Sequence, residues 1–283
     1  MTQEPLTGAQ ATLPQTDLLK ERNSVLAVKD LWVGYGSFIL MKNIAFSVQA
    51  GDIFFITGGS GCGKSTLLKV LMGLKSPMSG SILYGEHDFC KCDGDVRDAI
   101  KRTIGILFQS GALWSSMTLA ENVALPLQQY TDLTPAEIRE YASLKLALTG
   151  LAGFEDYYPS EISGGMRKRA GLARALALDP SILFLDEPSA GLDPVSSRHL
   201  DDLILELKET LKTTFVIVSH ELDSIYAIAT AIMYLDNQTR TIQAFGHPKK
   251  LKDDPTTPLC VLDFLTRGEA SKRTKKSVRS DAY

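Results

Sequence analysis

The octet GGSGCGKS (58–65) constrains this chain more than any other stretch. It fits the pattern G-x-x-x-x-G-K-[ST], follows the apolar run IFFIT (53–57) and precedes the apolar run TLLKVLMGL (66–74). A strand, a glycine turn and a helix in that order point successive backbone N–H groups inward, where they cradle a phosphate chain. Gly58, Gly59, Ser60, Gly61, Cys62 and Gly63 form the cradle, and Thr66 is counted with it as a nucleotide contact. Lys64 brings charge to the β- and γ-phosphates, and the Ser65 hydroxyl suits a Mg²⁺ ion.

Three further apolar runs resemble IFFIT in length, and each ends on a polar residue. IGILF (104–108) ends at Gln109, ILFL (182–185) at Asp186-Glu187, and FVIV (215–218) at Ser219-His220. Short continuous apolar runs read as buried parallel strands, and ligands of open parallel sheets sit beyond the strands' carboxyl ends. The four endings therefore gather along one edge of a layered α/β fold. Between Gln109 and Ser163 the pattern turns helical. Thr118-x-x-Glu121 and Thr134-Pro135-x-Glu137 read as capping boxes, and Gly150 as a helix stop. This stretch reads as a helical insertion, about 112–165.

The chemistry suggested at that edge is phosphoryl transfer. An aspartate closing an apolar strand, Asp186, orders Mg²⁺. The adjacent Glu187 is placed to polarise an attacking water as a general base. His220 would contact a γ-phosphate, Gln109 would touch Mg²⁺ or the water, and Tyr35, between Gly34 and Gly36, would stack on an adenine. No N-K-x-D guanine reader is present, which argues against a GTPase, and with Glu187 beside Asp186 water rather than a second substrate is the expected acceptor. A second anion site is written at SGGMRKR (163–169), where Ser163, Gly164 and Gly165 open a run of strong helix formers. His87, Cys90 and Cys92 lack a fourth ligand and the usual spacing for zinc.

At 283 residues the chain can bury a full core, and a net charge of −3 gives no overall attraction to nucleic acid. Four cysteines make no disulfide framework, which fits a reducing compartment. No signal peptide and no apolar run of spanning length is expected. Residues 1–24 read as a tail, 25–247 as the globular unit, and 248–283 as an extension with an apolar cluster (259–265) and a basic end. That end reads as solvated chain or, secondarily, as a contact for anionic lipid.

The phosphate loop, Gln109, SGG, Asp186-Glu187, SAGLD (189–193) and His220, in this order, resemble the ATP-binding subunit of an ABC transporter. The resemblance covers about residues 25–246. It implies a P-loop NTPase core with a mostly parallel sheet, an inserted helical subdomain and a small N-terminal antiparallel β subdomain. By the same resemblance Tyr35 stacks on adenine, Glu187 is the catalytic base, and His220 and Gln109 complete the catalytic set. Ser65, Gln109 and Asp186 serve Mg²⁺, and Asp193 lies in a loop that communicates across a homodimer. Two subunits would meet head to tail, with Ser163, Gly164 and Gly165 closing on ATP held by the partner's loop.

Met166 stands where most members of the family have Gln. Together with LFQSGALW (107–114) and ENVALPL (121–127), it resembles the subgroup serving Mla/Mce-type lipid transporters. That resemblance implies a membrane permease, a periplasmic lipid-binding (MCE-type) subunit, and a position on the cytoplasmic face of the inner membrane. Trp114, Met117 and Leu119 are then candidates either for permease contact or for internal packing. The cluster 259–265 would dock on the partner subunit or fold back on its own domain. The competing functions are an ABC-type ATPase working on ribosomes or DNA, and a membrane-docked regulator. A ribosomal form usually carries two such domains in one chain, and a DNA-repair form has a long coiled coil between phosphate loop and SGG; neither is seen.

Overall fold

A computed structural model describes residues 24–270. The expectations for the N-terminal tail and the basic end lie outside these residues, apart from Ser24. Strands β1 (Ser24–Tyr35) and β2 (Phe38–Gln49) form a long antiparallel hairpin, and β3 (Ile53–Gly58) then runs into helix α1 (Lys64–Leu71). β4 (Ser79–Tyr84) and the short β5 (His87–Asp88) complete a four-stranded sheet ordered β2-β1-β4-β5. Helix α2 (Gly94–Arg102) leads to β6 (Ile104–Leu107). The helices α3 (Leu119–Tyr130), α4 (Pro135–Leu148) and α5 (Gly164–Ala175) follow.

The chain then alternates β7 (Ile182–Asp186), α6 (Pro194–Leu211), β8 (Thr214–Val218), α7 (Leu222–Ile228) and β9 (Ala231–Asp236). It closes with β10 (Thr241–Gly246), α8 (Pro248–Asp253) and α9 (Leu259–Leu265). The second sheet is ordered β10-β9-β3-β8-β7-β6, parallel except for the β9–β10 pair.

The four apolar runs are thus neighbouring parallel strands, and their polar endings share one edge. Burial explains their composition. Every residue of β3 is buried, because the sheet is covered on both faces. Side-chain alternation divides the load between two cores. Phe54 points to the first, where its ring stacks on Phe46 at 5.4 Å, while Phe55 points to the second, beneath α6 and α7. Each ring contributes about 1.5–3 kcal/mol by leaving water.

A third core lies among α3, α4 and α5. Both expected capping boxes form, with Thr118 and Thr134 each exchanging hydrogen bonds with the glutamate three residues on. Gly150 adopts φ +70 and ends α4, its N–H donating to Ala147 O while Leu151 N–H donates to Leu146 O. Leu119 is fully buried in this core, so it packs internally, whereas Trp114 is 61% exposed. Asn122 is buried and clamps Trp114 through both backbone groups, accepting from its N–H at 2.7 Å and donating to its carbonyl at 3.1 Å. The cluster 259–265 takes the second of its two readings. Val261 and Leu265 are buried in the core under α7, and Tyr226 Oη donates to Leu265 O at 2.9 Å.

Candidate active site

A cleft of about 800 Å³ opens at the strand ends. It is lined by the loop before α1, by Ser65 and Thr66, and by Gln109, Glu187 and His220. Two of the loop's glycines leave no room for a side chain. A Cβ on Gly58 would lie 2.2 Å from Leu235 O, and Gly63, at φ +97, would meet Leu40 at 2.7 Å. Lys64 Nζ donates to the carbonyls of Gly58 and Gly59 at 3.0 and 3.1 Å, which holds the ammonium over the loop. Cys62 faces away: its thiol is buried behind the loop, and burial pushes its pKa up. Its N–H turns back to Gly59 O at 3.4 Å.

Glu187 lines the cleft where β7 ends, and Asp186, the last residue of that strand, stands behind Ser65. Ser65 Oγ donates to Asp186 Oδ1 at 3.1 Å, which brings together two hard oxygen donors of the kind Mg²⁺ takes. Glu187 leaves the strand in a left-handed conformation, φ +48, and its Oε1 lies 3.0 Å from His220 Nδ1. Its Oε2 is buried with no hydrogen-bond partner. Glu187 lines the cleft, and a buried carboxylate oxygen without a partner there is a group that a bound water would satisfy. Tyr35 stands beside the loop, its hydroxyl 3.3 Å from Thr66 Oγ1 and its ring 4.1 Å from Lys75 Nζ, and 55% of it is exposed.

Ser163, Gly164, Gly165 and Asp193 do not join this cleft. Ser163 caps α5, its hydroxyl accepting from Met166 N–H at 3.2 Å. Ser163 and Gly165 border a separate cavity of about 530 Å³ together with Met166, Leu192, Ser196 and His199. Met166 is partly buried against the helical core. Asp193 caps α6 by accepting from the N–H groups of Val195 and Ser196, and the Ser196 hydrogen bonds hold its carboxyl below the usual range. An aspartate followed by Pro194 was a readable cap signal.

Two residues of the cleft and its floor had no such signal. Phe264 of α9 lines the cleft wall, and Lys168 of α5 reaches the Glu187 carbonyl. Among the described residues no group of three His, Cys, Asp or Glu side chains could hold a metal ion, and Cys90 and Cys92 pack partly buried against the first core.

Comparison with known proteins decides the family. A family model described as "ABC transporter" matches residues 41–190, over half of the chain. The chain belongs to the ABC transporter family. Among curated ABC relatives, the "Intermembrane phospholipid transport system ATP-binding protein MlaF" of Haemophilus influenzae is 39% identical over 247 residues, covering 87% of this chain and 92% of its own. The "Probable ribonucleotide transport ATP-binding protein mkl" of Mycobacterium leprae is 44% identical over 198 residues, 70% of this chain, which spans 57% of that relative's length.

Solved ABC cassettes agree in fold. A dimeric ATP-binding cassette in a post-hydrolysis state, bound to ADP and Pi, superimposes with a TM-score of 0.70 at 29% identity, covering 78% of this chain and 98% of that one. A subunit of the cbiONQ ABC transporter complex of Clostridium perfringens gives 0.75 at 28% identity, covering 82% and 92%. No helix among the described residues is long and apolar enough to cross a membrane.

Proposed function

We propose that this chain is the ATP-hydrolysing subunit of an ABC transporter that moves phospholipid between the inner membrane and the outer envelope. One observation carries the reading. The phosphate loop, the Ser65–Asp186 pair and the Glu187–His220 pair share one cleft, while the SGG helix start of the same chain opens elsewhere. A cleft with a base but no facing anion site is half of a catalytic centre, and a second copy turned head to tail supplies the other half. That a solved cassette of the same fold is a dimer with ADP and Pi bound supports the pairing of two copies.

The residues divide the work. The loop N–H groups and Lys64 hold the β- and γ-phosphates, and Tyr35 stacks on the base. Mg²⁺, held by Ser65 and Asp186 with Gln109 at its edge, would neutralise charge on the phosphate oxygens. Glu187 takes a proton from the attacking water through its unpaired oxygen, and His220 orients the carboxylate from the other side. Ser163, Gly164 and Gly165 of the partner present a helix N-terminus to the γ-phosphate, so hydrolysis waits for dimer closure.

The permease would dock at the free edge of the parallel sheet. There β6, α3 and α5 enclose a groove of about 540 Å³ lined by Ile106, Phe108, Pro126, Tyr130 and Arg174. Trp114, held in place by Asn122, stands exposed on the same insertion. Docking here would seat the subunit on the cytoplasmic face of the inner membrane, with an MCE-type lipid-binding subunit on the far side.

The relatives' names differ in cargo, ribonucleotide or phospholipid. The phospholipid reading rests on a relative of which this chain spans 92%, against 57% for the ribonucleotide one. Glu187→Gln with Mg·ATP is expected to dimerise on a sizing column and to hydrolyse at least about 100-fold more slowly than the native chain. A persistent monomer under those conditions sinks the shared-site reading. Purification from the host's own membranes tests the cargo: a permease with bound phospholipid supports it, and ribosomes or DNA instead would overturn it.

A further inference from the structure

Lys168 lies on α5, five residues after the Ser163 cap, and only 6% of it is exposed. A lysine is rarely buried unless its ammonium is paired. This one donates to the backbone carbonyl of Glu187 at 3.2 Å. Burial lowers its pKa, and the carboxylates of Glu187, Glu221 and Asp186 act in the opposite direction, favouring the charge.

The carbonyl it grips belongs to a strained residue. Glu187 is a non-glycine residue at φ +48, a conformation that persists only where the surroundings over-determine it. Its N–H donates to Val218 O at 2.8 Å, so β8 fixes the peptide before it. The peptide after it is fixed by the turn bond from Ala190 N–H, at 3.2 Å, and by Lys168.

We propose that Lys168 is a positioning residue for hydrolysis: by gripping the Glu187 carbonyl from α5, it holds the left-handed turn that aims the Glu187 carboxylate into the cleft. The inference rests on the reading of Glu187 as general base. It ties the helix that begins at SGG to the base of the same chain, so the helix that meets one nucleotide also sets the geometry around the other.

Because Ala190 keeps the carbonyl hydrogen-bonded, Lys168→Met removes the grip and leaves the apolar stem in place. In the full chain, assayed in the complex it purifies with, Lys168→Met is expected to lower kcat about 10- to 100-fold, the range of a charge-assisted hydrogen bond. KM for ATP should stay within about twofold, since the residue touches no nucleotide contact. Lys168→Gln, whose amide can donate to the same carbonyl, should recover part of the loss. Combined with Glu187→Gln, Lys168→Met should cost nothing further, because it acts through that residue.

A native kcat in Lys168→Met overturns the proposal while leaving Glu187 as base. Rapid hydrolysis by Glu187→Gln overturns the base reading itself. A fall in kcat accompanied by a raised KM and a lowered Tm, with no recovery in Lys168→Gln, assigns Lys168 to packing and overturns the proposal, as does failure of both variants to fold.

Discussion

Glycine stands at both helix starts, as Gly63 just before α1 and as Gly164 and Gly165 in α5, and neither helix has an acidic residue in its first turn to compete for an anion. Their surroundings differ. The start of α1 has no side-chain cap, Gly63 preceding it at φ +97, and it is ringed by Lys64, the Ser65–Asp186 pair and Glu187. The start of α5 is capped by its own serine and faces a cavity with no such carboxylate pair. A helix N-terminus by itself offers partial charge worth at most about 2 kcal/mol. What separates a catalytic centre from a docking surface is the set of charged groups the fold brings up around it. α1 has that set in its own chain, and α5 must borrow it from another.

The comparison is broken most severely at α1. Lys64→Met removes the ammonium that the Gly58 and Gly59 carbonyls hold over the loop, and turnover should fall about 10³-fold. The loss should also appear in the isolated subunit as weaker nucleotide binding by equilibrium titration, since this half of the centre lies within one chain. Unchanged affinity would mean that the loop holds phosphate by its N–H groups alone.

At α5 the expected pattern is the opposite. A Cβ at Gly164 would come no nearer than 3.8 Å to a neighbour, and an acid in the first turn suits the helix dipole. Gly164→Asp should therefore leave Tm and single-chain nucleotide affinity as they are. Facing a partner's γ-phosphate, the added carboxylate should abolish ATP-dependent dimerisation and cut turnover about 100-fold, as like charges at an interface do. A variant that dimerises and hydrolyses normally would remove α5 from the catalytic centre.

The two starts also differed in how far they could be read before the fold was known. Strand, loop and helix around α1 are contiguous, so periodicity and glycine spacing exposed them; the same holds for the capping boxes at Thr118 and Thr134. What local pattern could not show is contact across the chain. Lys168 sits in a helix of basic residues, and nothing nearby in sequence marks it as the one turned inward to Glu187. Leu119 and Trp114 lie five residues apart, yet one is buried and the other exposed, and the loop between them is held by Asn122, which donates to the carbonyls of Trp114, Met117 and Thr118. Phe264 reaches the cleft because α9 packs back under α7, a choice made by the core and not by the helix. The family pattern places Asp193 in a loop between subunits, and within one chain its carboxylate is a helix cap.

The smallest expected effect separates the two duties of Ser163. As a cap, its hydroxyl accepts from Met166 N–H, and Ser163→Ala should cost about 1 kcal/mol of stability. For a domain of this size that is a Tm shift of about 2–4 °C. Aspartate caps as well as serine, so Ser163→Asp should restore the lost Tm. It should not restore turnover, because the carboxylate that satisfies α5 would repel the phosphate the hydroxyl is proposed to meet. Recovery of both together would leave Ser163 a cap and nothing more, and would shift the trans contact onto the N–H groups of Gly164 and Gly165. Recovery of Tm alone would make Ser163 part of the neighbour's centre, and the difference between α1 and α5 would then be one of ownership rather than of chemistry.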